Sequence, residues 1–190
     1  MTRFTILPGL LLACITPAAA EILVLKAGAW IDVDAGRRMT PGVVVVDGQR
    51  IAAVNPAAWP REAQVIELPG LTLLPGFIDA HTHLGSDLGP GWESRGVRWT
   101  DIDYALLGVR HSRATLASGF TSVRDVGSSG FYDVALMRAI ERGDFPGPRI
   151  VPAGHGIGAT AGHCDWTGYA PGILEGGPER AQALGAAELG

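Results

Sequence analysis

Four consecutive valines at 43–46 run into Asp47-Gly48, and a second apolar stretch, Arg50-Ile51-Ala52-Ala53-Val54, follows. A β-branched run, a turn dipeptide and a returning apolar run predict a β-hairpin, with Asp47-Gly48 as a type I′ turn signal. Residues 22–26 read as an earlier strand, residues 30–33 as its continuation in a meander, and residues 64–68 alternate polar and apolar. Residues 21–70 are therefore expected to form a small all-β unit, part of a β-sandwich.

The pattern changes at residue 71. Residues 71–84 form an apolar run that ends in polar positions. Between Asp101 and Gly119 the residues Ile102, Ala105, Leu106, Val109, Ala114 and Leu116 recur near the helical period, and Gly119 stops the helix. Residues 121–126 read as a short strand. Residues 131–142 read as a second helix, with Val134, Leu136, Met137 and Ile140 on its apolar side and Gly143 at its end. Residues 149–153 read as a third strand. A glycine-rich loop is expected over 154–177, and Pro178 can open a last helix through Ala181, Leu184 and Leu189. Strands alternating with helices predict an α/β fold with a parallel sheet and crossover helices.

The first twenty residues carry a different pattern. Arg3 gives a charged start, the stretch to Ile15 is mostly apolar, and Ala18-Ala19-Ala20 supplies the small residues of a cleavage site before Glu21. That is the form of a secretory signal peptide, so the chain is expected to be exported, to the periplasm or beyond. Leu11-Leu12-Ala13-Cys14 leaves a lipoprotein signal open as the alternative, with Cys14 lipidated. The apolar stretch is short and interrupted by Pro8, so no transmembrane span is expected. Cleavage after Ala20 would remove Cys14 and leave Cys164 alone, without an internal disulfide.

Composition narrows the function classes. The chain has 190 residues, 47% of them hydrophobic and 18% charged, with a net charge of −4. That is too apolar for a disordered chain and offers no basic surface to a nucleic acid. The glycines near 154–162 lack the lysine of a phosphate-binding loop.

The strongest chemical signal is His81-Thr82-His83. Alternate residues of a strand share a face, so Asp79, His81 and His83 are expected on one side. Two imidazoles at that spacing can hold one divalent metal ion. By itself His-x-His equally fits two ordinary polar residues at a strand end. Its flanks, Leu74-Pro75-Gly76-Phe77-Ile78-Asp79-Ala80 before His81, resemble the amidohydrolase superfamily of metal-dependent hydrolases. The Val46-Asp47-Gly48-Gln49-Arg50-Ile51 hairpin is similar to the superfamily's N-terminal sandwich. Gly119-Phe120-Thr121-Ser122-Val123-Arg124-Asp125-Val126-Gly127 is similar to the second barrel strand of its imidazolonepropionase-like and Xaa-Pro dipeptidase-type branch. Gly147-Pro148-Arg149-Ile150-Val151, with Ala161-Gly162-His163-Cys164-Asp165, is similar to the third.

The resemblance implies the N-terminal part of a (β/α)8 barrel of the TIM type, preceded by the small β-sandwich segment. It divides the chain into a signal over 1–20, the sandwich segment over 21–70 and the first three βα units of an incomplete barrel over 71–190. It implies one or two divalent ions, commonly Zn2+, with His81 and His83 as the first ligands. The hydrolysis implied is of C–N bonds in peptides or cyclic amides, Xaa-Pro dipeptides among them. The partner is thus a small molecule or dipeptide, and the oligomeric state is left open.

The family's other ligands lie on later strands: a carboxylated lysine on the fourth, histidines on the fifth and sixth, and an aspartate on the eighth. Lys26 is the only lysine here, and a complete barrel needs about 250 residues. The chain is therefore expected to be the N-terminal portion of a longer enzyme. The alternative is a non-catalytic product that binds one ion weakly. His163 and Asp165 are expected to contact substrate, with a plain loop hydrogen bond as the competing reading. Asp125 is expected to orient a ligand from behind, with capping of the next helix as the alternative, and Asp79 is expected to do the same while facing the barrel interior, where an ionised carboxylate needs a partner. His155 is expected to be structural, and His111 carries no assigned role. Trp92, Trp99 and Trp166 are expected in loops beside a substrate pocket.

Overall fold

The computed structural model describes residues 22–157. The chain divides into two units, one ending at Pro75 and the other beginning at Gly76. The expected signal, Cys14, His163, Cys164, Asp165, Trp166 and the expected last helix lie outside the described residues.

The first unit is built on one long strand, β1 (Ile22–Asp32). It pairs antiparallel with β3 (Gly42–Asp47) along Ile22–Ala27 and with β2 (Arg37–Met39) along Trp30–Asp32. On its other side it pairs parallel with β5 (Gln64–Leu73). β4 (Arg50–Val54) closes the hairpin with β3. Where the sequence pattern suggests part of a sandwich, the described residues of this unit make a single five-stranded sheet. β1 runs unbroken through the stretch expected to be two strands, and β5 continues to Leu73, beyond residue 70. Val24, Val43 and Val45 form the buried core, with Ile22, Ala53, Trp59 and Ala63 packed around them.

The hairpin has the expected two-residue loop between Asp47 and Arg50. Gly48 takes φ +57, whereas Gln49 has no positive φ. A type I′ turn needs positive φ at both positions, so this turn is not of the expected type.

The second unit alternates strand and helix: β6 (Phe77–Thr82), α1 (Trp92–Arg98), α2 (Asp101–Ala117), β7 (Phe120–Asp125), α3 (Tyr132–Arg142) and β8 (Arg149–Pro152). The three strands form a parallel sheet in the order β6-β7-β8. This is an α/β arrangement. α2 starts at a capping box, in which Thr100 Oγ1 accepts the Asp103 N–H and Asp103 Oδ2 accepts the Thr100 N–H at 2.8 Å. It stops before Gly119, whose φ of +94 only glycine adopts freely. α3 ends at Gly143 in the left-handed region, with the Asp144 N–H reaching back to Ala139 O at 2.9 Å.

The core of this unit joins Leu84, Val123, Tyr132, Leu136, Phe145 and Ile150. Helical periodicity puts Ile102 and Leu106 of α2 inside, yet they are 71% and 66% exposed. The buried positions of α2 are Leu107, Gly108 and Ser112. Gly108 lets Leu136 of α3 approach, since a Cβ at 108 would collide with the Leu136 side chain.

Candidate metal centre

His81 is the penultimate residue of β6, and His83 follows Thr82, the final residue of that strand. Their ring centroids are 5.5 Å apart and the planes meet at 74°. The two imidazoles are therefore neighbours. The β6–β7 register shifts between Asp79 and Thr82, and Asp79 Oδ1 accepts the backbone N–H of His81 at 3.0 Å. Asp79 is thus engaged with the His81 backbone. Among the described residues no group of three or more His, Cys, Asp or Glu side chains could hold a metal ion, so Asp79 does not complete a site.

His83 is oriented by the loop that follows β7. Its Nδ1 bonds Gly127 O at 3.0 Å. A carbonyl can only accept, so Nδ1 carries the proton and the neutral ring keeps its Nε2 lone pair for a ligand. This is the form in which backbone carbonyls hold metal-ligating histidines.

The next residue, Leu84, is tied at both polar atoms. Its N–H donates to Asp125 Oδ2 at 2.8 Å, and its carbonyl accepts from His111 Nδ1 at 2.8 Å. Asp125 Oδ1 also accepts the Gly127 N–H, at 3.3 Å. Asp125 therefore touches the chain on both sides of the His83–Gly127 bond. It is fully buried. Burial pushes its carboxyl above the ordinary value, the Leu84 and Gly127 N–H groups oppose the rise, nearby Asp133 adds to it and His83 opposes it. His111, given no role from sequence, is the residue that holds Leu84 O.

His155 sits after β8. Its Nδ1 donates to Ser128 O at 3.1 Å, and its ring packs on Phe131 at 4.2 Å between centroids. Trp92 is not in a loop, since it opens α1, whereas Trp99 follows the helix in extended backbone, in the connection to α2. The Trp99 ring meets Tyr104 at 5.4 Å and lies under the Arg95 guanidinium at 4.9 Å. Arg95 also pairs with Asp87.

Sequence reasoning missed Asp133 and Ser128. Both are buried, and Ser128 Oγ donates to Asp133 Oδ1 at 2.6 Å. Asp133 Oδ2 accepts the Gly154 N–H at 2.8 Å. The only signal was an acid in the first turn of a helix, which is ordinary at that position. Burial drives the phenol of adjacent Tyr132 far above its usual 10.0, with the Asp125 and Asp133 carboxylates adding to the effect.

The model of the amidohydrolase family matches residues 72–183, more than half of the chain. The chain belongs to the amidohydrolase family. An adenine deaminase from Paracoccus denitrificans is 44% identical over 121 residues, which is 61% of this chain and 18% of that enzyme. A solved Xaa-Pro dipeptidase with bound methionine superposes with a TM-score of 0.70 at 31% identity, over 80% of this chain and 38% of that one. A solved prolidase complexed with N-methylphosphonate-L-proline gives 0.68 at 36% identity, over 87% of this chain and 39% of that one. This amidohydrolase chain spans 20% and 18% of the first two curated relatives. Members of the amidohydrolase family generally bind divalent metal ions. The matched region contains His81, His83, Asp125 and His155.

Proposed function

We propose that this amidohydrolase chain carries the first metal ligands of an enzyme that hydrolyses C–N bonds in peptides or cyclic amides, with Xaa-Pro dipeptides as the substrate class. One observation carries the reading: the His81 and His83 rings are paired, and His83 is held by Gly127 O while Nε2 makes no hydrogen bond among the described residues. The similarity to a solved Xaa-Pro dipeptidase and a solved prolidase supports the substrate class.

The donor chemistry fits a divalent ion, taken as zinc. A borderline-soft cation accepts neutral imidazole nitrogen, and His81 and His83 would supply two of its ligands. When bound, such an ion lowers the pKa of a water and polarises the scissile carbonyl. The chain's own part is to fix the two rings: Gly127 O orients His83, while Asp125 and His111 hold Leu84 directly behind it. His163 and Asp165 are proposed to contact the substrate. β6, β7 and β8 are proposed as the first three strands of the eight-stranded barrel, after a signal over 1–20 that exports the protein. Finding Glu21 at the mature N-terminus by mass spectrometry would support export, an intact Met1 would sink it, and a lipidated Cys14 would favour the lipoprotein form.

Two protein ligands are fewer than the three or four of ordinary zinc sites. The chain by itself should therefore bind zinc weakly and turn over no dipeptide. Calorimetric zinc titration of the chain and of the His81→Ala/His83→Ala double variant tests the site. Equal affinity in both would place the ion elsewhere. Metal-dependent dipeptide turnover that disappears in His81→Ala would mean that residues within this chain complete the site.

A further inference from the structure

We propose that Asp133 is a positioning residue for two histidines at once, His83 and His155, acting through the Gly127–Ser128 segment. Four polar residues are buried among those described, and Asp125, Ser128 and Asp133 are three of them. Asp133 is completely buried and makes no ion pair among the described residues. A buried carboxylate without a cation persists only when hydrogen-bond donors surround it. Here the donors are Ser128 Oγ at 2.6 Å and the Val134 N–H at 2.8 Å on Oδ1, with the Gly154 N–H at 2.8 Å on Oδ2.

Two of those donors come from outside α3. Ser128 belongs to the loop after β7 and Gly154 to the loop after β8. The same two residues bond directly, Ser128 N–H to Gly154 O at 2.7 Å, so the carboxylate closes a ring that locks one loop to the other. Two successive carbonyls then emerge from the locked segment. Gly127 O takes His83 Nδ1–H at 3.0 Å and Ser128 O takes His155 Nδ1–H at 3.1 Å. The segment has little room to move: a Cβ at Gly127 would lie 3.2 Å from Gly156 Cα and 3.7 Å from His83 Cε1. Displacing Ser128 therefore displaces both acceptors, and both rings lose the bond that sets their tautomer. That His83 then offers Nε2 to a metal rests on the function proposed above; the tautomers do not.

The test is NMR of ring nitrogens in the full chain, labelled with 15N-histidine and free of metal, at a pH where the imidazoles are neutral. His83 and His155 should both be protonated at Nδ1. In Asp133→Asn one oxygen becomes an NH2 that faces a donor, so both rings should become tautomer mixtures. His111, bonded to Leu84 O, should not change. Ser128→Ala, which keeps the backbone N–H and carbonyl, should shift the same two rings by less. Zinc affinity of Asp133→Asn should fall by about 10- to 100-fold, the usual range for partners behind a ligand. A folded Asp133→Asn with unchanged His83 and His155 tautomers overturns the proposal, whatever its loss of stability. If that variant does not fold, unchanged tautomers in Ser128→Ala overturn it instead. Correct tautomers that respond to Asp133 in a chain with no zinc affinity would support the positioning role and sink the metal reading.

Discussion

Asp125 reaches from the end of β7 to take the backbone N–H of Leu84, 2.8 Å from Oδ2, so a buried carboxylate at the end of one strand holds the residue immediately after His83 in the segment that follows β6. The Gly127 N–H on Oδ1 makes the same carboxylate support the carbonyl-bearing residue that orients His83. Removing the side chain leaves the Leu84 N–H without its acceptor. Asp125→Ala should cost about 1–3 kcal/mol, the desolvation penalty of a buried unsatisfied group. Asp125→Asn, which retains one oxygen, should lose less. Urea unfolding of the three proteins checks the order; an alanine variant as stable as the parent would show that the bond holds nothing.

The acidic limb of stability should have two opposing parts. Asp87 is held below its ordinary 3.8, first by the Arg95 side chain and then by the Gly89 N–H. Asp103 is lowered by the Thr100 N–H and then the Thr100 hydroxyl. A lowered pKa stabilises the fold fully above 3.8, and that contribution is lost as pH falls through the lowered value. Asp125 is raised, so its contribution is present below 3.8 and lost as pH rises through its raised value. Asp103→Asn should therefore be less stable than the parent near neutral pH, with the gap closing below 3.8. Asp125→Asn should compare better with the parent as pH rises. Unfolding midpoints across acid pH decide both, and gaps independent of pH would refute the assignment.

The elements that announced themselves are those whose signal is local. The valine run and Asp47-Gly48 fix a hairpin within twelve residues of chain, and Gly119 and Gly143 mark helix ends through their own φ. α1 was illegible because Trp92-Glu93-Ser94-Arg95-Gly96-Val97-Arg98 has no apolar period and contains a glycine. In α2 periodicity picked Ile102 and Leu106, but burial follows what packs above the helix, and Leu136 meets Gly108 instead. The His81–His83 pair could be read from spacing. Its supports could not: Gly127, His111 and Asp125 are 28 to 44 residues away along the chain and reach the site only through the folded sheet.

The contact between α2 and α3 gives a packing test. Leu136 is 3% exposed, and Leu136→Ala should cost about 2–5 kcal/mol through lost burial and a cavity. Gly108→Ala would favour the helix by propensity, yet its methyl collides with Leu136. The single Gly108→Ala should therefore destabilise, by about 1–3 kcal/mol for overpacking. In the double variant the new methyl enters space that Leu136 vacates. Its cost should fall short of the sum of the two, and strict additivity in urea unfolding would show that the side chains do not meet.

Gly127→Ala isolates the orientation of His83 from the identity of the ligand. The position has no positive φ, so alanine meets no backbone strain there. The difficulty is space, because the methyl would stand 3.2 Å from Gly156 Cα and 3.3 Å from Gly156 N, both backbone atoms. One segment must yield by a few tenths of an ångström, and the Gly127 carbonyl that accepts His83 Nδ1–H moves with it. Both proposed ligands remain present, so a loss of zinc affinity would come from aim alone. The expected loss is about 10-fold or more, as for other partners that orient a ligating histidine. Calorimetry on Gly127→Ala beside the His81→Ala/His83→Ala variant measures it. Affinity equal to the parent would mean that the Gly127–His83 bond does not prepare the ring for a metal.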